Sequence, residues 1–231
     1  MLDDFSKRNR AIRAGFDLAA ERGWDQVSFT EIAERTGLSL ADLRREFTCK
    51  TDLLKGFQAE VDAEVLAKMK PATDEQKPRD RLFDLIMTRF EVMAPYKQAL
   101  DRVHAGLRCR PGEAAKLFCS TLASQYWMLV GAGAKLDGPG AGLRVAGLTA
   151  IYGKVFHVWL EDNSPGLDRT MAALDRRLQL GEQRLAGMET MCGDLCRIAC
   201  GFLPRGWKRR GERGGKAEEA PSGPSASPAS A

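Results

Sequence analysis

The sequence predicts an all-α protein built as a small N-terminal helical domain followed by a larger one. Three observations carry that reading. Apolar residues recur three and four positions apart through most of the chain, the period of an amphipathic helix. No run alternates apolar and polar residues in the way a half-buried strand requires. Within Val27–Leu54 two short helices with capping signals are joined by a glycine turn.

The first helix is expected over 8–22, with Ile12, Phe16, Ala19 and Ala20 as its buried stripe and Arg10 and Arg13 outside it. Ser28 can cap the next helix, with Glu31 three residues on as partner in a capping box. Ile32 and Ala33 face inward, and Gly37 ends this helix where a left-handed residue is favoured. Ser39 can cap a further helix, Leu40–Phe47, whose Leu43 and Phe47 share one face. The pair reads either as a helix-turn-helix, which offers its second helix to the major groove, or as an αα-hairpin within a helical domain.

Thr51–Met69 reads as a longer helix joining the domains, with Leu54, Phe57, Val61, Val65 and Met69 inward. Pro71–Pro78 is polar, carries two prolines and breaks the pattern. Arg79–Met93 follows, with Leu82, Phe83, Ile86, Met87, Phe90 and Met93 in helical register. Pro95 ends or restarts that helix, and Tyr96–Arg108 carries Leu100, Val103 and Leu107. Arg110-Pro111-Gly112 is expected as a turn before the apolar helix Glu113–Gly131, which contains Phe118, Leu122, Tyr126, Trp127 and Val130. A loop with five glycines, Gly131–Gly142, leads to Leu143–Leu160. Ser164 and Pro165 look like the N-cap and first residue of a last helix reaching Gly187.

Composition bounds the function. The chain has 231 residues, a net charge of +4 and 44% hydrophobic content. That charge is too mild to imply a partner, and residues 1–60 hold ten Lys/Arg against eleven Asp/Glu, below the basic balance usual in a nucleic-acid domain. No apolar run reaches membrane-spanning length, and the charged start is not a secretory signal, so a cytoplasmic protein is expected, with peripheral contact to the inner membrane surface as a further expectation. Six cysteines in such a chain read as reduced thiols. His104 and His157 are the only histidines, and no metal site or cofactor is expected. No nucleophilic triad, paired acid–base set or phosphate-cradling loop stands out, so an enzyme is not expected.

At the C-terminus, residues 187–202 place Cys192, Cys196 and Cys200 on one helical face, followed by Trp207 and a basic run through Arg213. Three readings stand side by side: a helix packed on the body, an interfacial membrane helix, and thiol or soft-metal chemistry. Cysteines four and eight residues apart span about 12 Å of helical rise, so one helix cannot offer all three to one ion. Residues 214–231 have the composition of a disordered tail.

Residues 8–56 resemble the N-terminal domain of the tetracycline-repressor (TetR) family. The resemblance rests on a helix ending Ala20-Glu21-Arg22-Gly23, on Trp24, on Ser28-Phe29-Thr30-Glu31-Ile32-Ala33, on Thr36-Gly37-Leu38-Ser39, on Leu43 with Phe47, and on Lys50 before Asp52-Leu53-Leu54. It implies a dimeric DNA-binding regulator whose ligand shifts the spacing of two recognition helices. Ser28, Thr30 and Lys50 would hold phosphates, Ser39 would stand at the start of the recognition helix, and Leu40, Asp42, Arg44 and Arg45 would meet the groove. Where the family pattern has a small residue, then Thr or Ser, then Tyr, this chain has Ala41, Asp42 and Arg44. Asp42 can accept from cytosine N4 and otherwise repels DNA, while Arg44, Arg45 and Lys50 can bind phosphate or guanine. The resemblance also implies an apolar ligand cavity and a dimer interface in 79–187, with Phe90, Met93, His104, Phe118, Trp127, Tyr152 and Phe156 as lining.

Residues 79–180 are similar, in their Met-x-Pro-Tyr at Met93–Tyr96, their Ala150-Ile151-Tyr152 and their Asp162–Asp168 stretch, to the TetR-fold lipid-binding accessory family of coenzyme Q (ubiquinone) biosynthesis. That second resemblance implies the alternative function, an isoprenoid-lipid carrier beside a membrane that does not bind DNA. The expected organisation is 1–56 helix-turn-helix, 57–78 connecting helix and linker, 79–187 ligand and dimerisation domain, 188–213 Cys-rich helix and basic segment, and 214–231 tail.

Overall fold

Every regular element of the computed structural model is helical among its described residues, 6–69, 76–137 and 140–184. These residues belong to one compact unit, Met1–Ala186. The expected interdomain linker lies largely outside them, as do Cys192, Cys196, Cys200, the basic segment and the tail.

Helix α1 is Lys7–Arg22, capped by Ser6, whose Oγ accepts from Asn9 N. A 3₁₀ turn, Trp24–Gln26, leads to α2, Phe29–Thr36, and α3, Leu40–Glu46. The expected capping box is present on α2: Ser28 Oγ accepts from Glu31 N while Glu31 accepts from Ser28 N. Gly37 sits at φ 69°, the left-handed end for which a side chain would be strained. Thr36 Oγ1 donates to Ile32 O at 2.7 Å and accepts from Leu38 N at 3.3 Å, tightening the turn into α3. Leu43 and Phe47 anchor α3, each 2% exposed. Burying such a side chain contributes about 1.5–3 kcal/mol.

Helix α4, Thr51–Ala67, runs from this domain into the rest of the molecule, packing on α1, on α5 (Pro78–Met93) and on α7 (Pro111–Gly131). Its Gly56 lets α1 come close: a Cβ there would lie 2.7 Å from Ile12 Cδ1. A 3₁₀ turn at Ala94–Tyr96 separates α5 from α6, Lys97–Leu107, and α6 packs back on α1. Helices α8, Ala141–Glu161, and α9, residues 168–184, complete the described chain.

Several local expectations are corrected. Pro78 and Pro111 are not loop residues but stand in the first turns of α5 and α7, where a missing N–H is tolerated. The last helix starts at 168 rather than at Pro165, and Asp162 and Ser164 organise its entry together, Ser164 Oγ accepting from Asp168 N at 2.9 Å. Buried Asp162 accepts from Ser164 N and Oγ through one oxygen and from Thr170 N and Oγ1 through the other. Burial raises its pKa, but those four hydrogen bonds outweigh it and hold the carboxyl far below the usual range. The apolar stripe of α7 does not face the core. Phe118, Tyr126, Trp127 and Val130 are exposed, and the buried face carries Ser124, Gln125, Met128 and Leu129.

Candidate functional site

Two features stand out: the outer face of α3 and a cavity among α1, α4, α5, α6, α7 and α8. On α3, Leu40 opens the helix and is 55% exposed, with Arg44 and Arg45 exposed one turn further on. Leu43 and Phe47 point the other way, so the local amphipathic pattern itself aims the two arginines at solvent. Arg44 has no ion-pair partner among the described residues, whereas Arg45 lies 3.5 Å from Asp42. Ser28 and Thr30 are exposed at the start of α2.

Asp42, expected to meet the groove, is tied to the N-cap Ser39 and to Lys7. Its Oδ2 accepts from Ser39 Oγ at 2.7 Å, its backbone N donates to Ser39 Oγ at 3.0 Å, and its Oδ1 takes the Lys7 ammonium at 2.8 Å. The Lys7 and Ser39 hydrogen bonds lower its pKa to about 2. Its contribution to stability is therefore complete above the ordinary carboxyl value of 3.8 and lost as pH falls towards about 2. An acid titration of the wild type should show an extra loss of stability in that window that Asp42→Asn lacks. The negative charge expected to repel DNA is thus offset by Lys7 and Arg45.

Lys50, expected to hold a phosphate, has partners within the protein. Its Nζ donates to Trp24 O at 2.7 Å and lies 4.7 Å from the Trp24 ring centre. Burial, aided by Arg110, lowers its pKa against Glu113 and Asp25. Buried Trp24 in turn donates from Nε1 to Glu113 at 3.5 Å, and Arg110 bridges Asp25 and Glu113. Trp24 and Asp25 therefore tie the first domain to the start of α7, and Lys50 braces Trp24. Lys50→Met should lower the melting temperature and leave the salt dependence of any DNA binding unchanged.

The cavity has a volume of about 670 Å³. Of the expected lining, Met93, His104, Phe118, Tyr152 and Phe156 are brought together there. Phe90 is not in the lining: fully buried, it stacks on Tyr152 at 5.7 Å and on Trp159 at 5.3 Å, backing the wall. Trp127 is also elsewhere, 53% exposed on a smaller depression with Lys55, Asp62 and Ser124. Phe16, Leu54 and Phe57 were missing from the expected set and form the wall towards the first domain. Phe16 stacks on Phe57 at 4.2 Å, and both meet Tyr96 edge-on. Arg89 was missed as well. Fully buried, it pairs with Asp62 and donates from Nε to Tyr152 OH at 3.2 Å. Asp62 also accepts from Ser124 Oγ at 2.9 Å, so one network joins α4, α5, α7 and α8.

Residues 11–56, which contain the whole of α2 and α3, match the family model for bacterial regulatory proteins, tetR family. Over the N-terminal domain the chain is similar to the tetR family. Among solved structures, a TetR transcriptional regulator from Nitrosomonas europaea ATCC 19718 superposes with a TM-score of 0.63 at 21% identity, covering 77% of this chain and 99% of that one. A TetR transcriptional regulator from Rhodococcus sp. RHA1 gives a TM-score of 0.53 at 20% identity, covering 74% and 93%. At these identities the likeness is one of fold, and the fold is TetR-like. No curated protein matches the chain. The second resemblance, to the ubiquinone accessory family, finds no support in these TetR matches. Among the described residues no helix is long and apolar enough to cross a membrane.

Proposed function

We propose that this protein is a DNA-binding transcriptional regulator of the TetR type, acting as a dimer in the cytoplasm and controlled by an apolar ligand. The observation that carries the reading is α3: a helix capped at Ser39, anchored by Leu43 and Phe47, and presenting Leu40, Arg44 and Arg45 outward within the tetR-matching segment. Arg44 and Arg45 supply charge and guanine-binding forks, and Leu40 suits a thymine methyl. Ser28 and Thr30, exposed at the head of α2, supply hydroxyls suited to backbone phosphates. Dimerisation is supported by the apolar surface of α7, where Phe118, Tyr126, Trp127 and Val130 lie exposed with Leu143 of α8.

Ligand control is supported by the shared wall. Phe16 and Phe57 belong at once to the cavity and to the packing of α1 and α4, so a ligand that moves them alters the seat of α3. The test is selection from a pool of random-sequence duplexes. The bound pool should converge on an inverted repeat with half-sites separated by whole helical turns, as a two-fold dimer requires. A pool that stays random through successive rounds would overturn the reading.

A further inference from the structure

The cavity has a polarity of its own. Its body is aromatic and aliphatic, with Phe16, Phe57, Met93, Leu117 and Phe156 among the lining. Its ionisable lining is of one sign only: Arg89, Arg108 and Lys154 are cations, His104 and His157 can become so, and no Asp or Glu lines it. Arg89 is partly answered by Asp62, but its Nη2 is buried with no hydrogen-bond partner. The other four residues form a cluster. His104 and His157 meet edge to face with ring centres 4.3 Å apart. Arg108, the C-cap of α6 in helical backbone conformation, follows His104 by four residues, and Lys154 precedes His157 by three on α8, so each cation lies on its histidine's side of the helix. Arg108, Lys154 and His157 are exposed, which places the cluster at the cavity's open side.

We propose that the cavity takes an amphipathic anion, an apolar body carrying a carboxylate, with the carboxylate held at the His104–Arg108–Lys154–His157 mouth and the apolar body against Phe16, Phe57 and Met93. The inference rests on the reading of this cavity as the regulator's ligand site, and it adds the charge of the ligand. The charge at the mouth points the same way. Burial first, then His157 and Arg108, lower the His104 pKa against Asp101. A carboxylate seated beside Arg108 and Lys154 gains charge-assisted contacts that a neutral ligand of the same shape lacks, and a cation is repelled.

Three ten-carbon probes separate these cases on the full chain at low salt: decanoate, decanol and decyltrimethylammonium, each displacing a neutral naphthylamine dye. Decanoate should displace the dye at a concentration about tenfold below decanol, the effect of charge-assisted contacts, and the ammonium should be weakest. Arg108→Gln with Lys154→Gln should bring decanoate to the level of decanol and leave decanol unchanged, which also reports an intact cavity. Equal displacement by decanoate and decanol in the wild type would overturn the anion and leave the apolar cavity standing. Displacement by none of the three would overturn the ligand site itself, and the anion with it.

Discussion

Replacing Asp62 with alanine should destabilise the protein by about 3–5 kcal/mol, the cost of leaving a buried guanidinium without its carboxylate. Arg89 has no exposed surface, and Asp62 is its counter-ion. Burial alone would lower the Arg89 pKa; Tyr152 and Asp62 outweigh it and keep the side chain charged. Arginine cannot escape by losing its proton, so the uncompensated charge must draw in water or open the packing of α4 against α5 and α7. Thermal unfolding should fall by roughly 10 °C for a chain of this size. The double variant Asp62→Ala with Arg89→Met removes both charges and should recover part of the loss. A double variant as unstable as the sum of the two single ones would mean that the residues contribute separately and that no buried pair holds these helices.

Replacing Arg44 and Arg45 together with alanine should weaken operator binding by about 100-fold or more, from two interactions worth about 1–3 kcal/mol each. Both side chains are exposed and lie opposite the anchoring Leu43 and Phe47, so the melting temperature should hardly change. The slope of log affinity against log salt should fall by about 0.9 for each phosphate that an arginine no longer neutralises, whereas an arginine that reads a base edge should leave the slope unchanged when removed. The single variants separate the two roles. Arg44 is free of ion pairs among the described residues, while Arg45 must leave Asp42 before it reaches DNA, so Arg44→Ala should cost more than Arg45→Ala. Unchanged affinity in the double variant would remove α3 as the reading helix.

The helix-turn-helix was legible because its determinants are local. Ser28 and Glu31 are three residues apart, Gly37 and Ser39 punctuate the turn, and each meets its partner within one helical turn. The helix expected over Leu143–Leu160 likewise corresponds to α8, Ala141–Glu161. What sequence could not supply depended on distant partners. Asp62 and Arg89 are 27 residues apart, and each reads as a solvated charge on an amphipathic helix until α4 meets α5. Nothing local marks the bond from Lys50 to the Trp24 carbonyl, 26 residues away. On α7 the apolar stripe was visible but its direction was not. A period locates a face without saying whether the core or a second subunit covers it, and here Ser124 and Gln125 go inward while Trp127 goes outward. Five of the seven expected cavity residues coincide with the observed lining, since α5, α6, α7 and α8 surround it. Phe16 and Phe57 were missed because they were assigned to the first domain and to the connecting helix, and the wall they form exists only once α1 and α4 pack on α6 and α7.

On the proposed function, α3 reads DNA sequence. The most direct measurement is the affinity of the purified chain, at physiological salt, for its selected duplex and for a scrambled duplex of the same composition. The selected duplex should be bound about a thousandfold or more tightly, with both affinities falling as salt rises. Equal affinity for the two duplexes would contradict it.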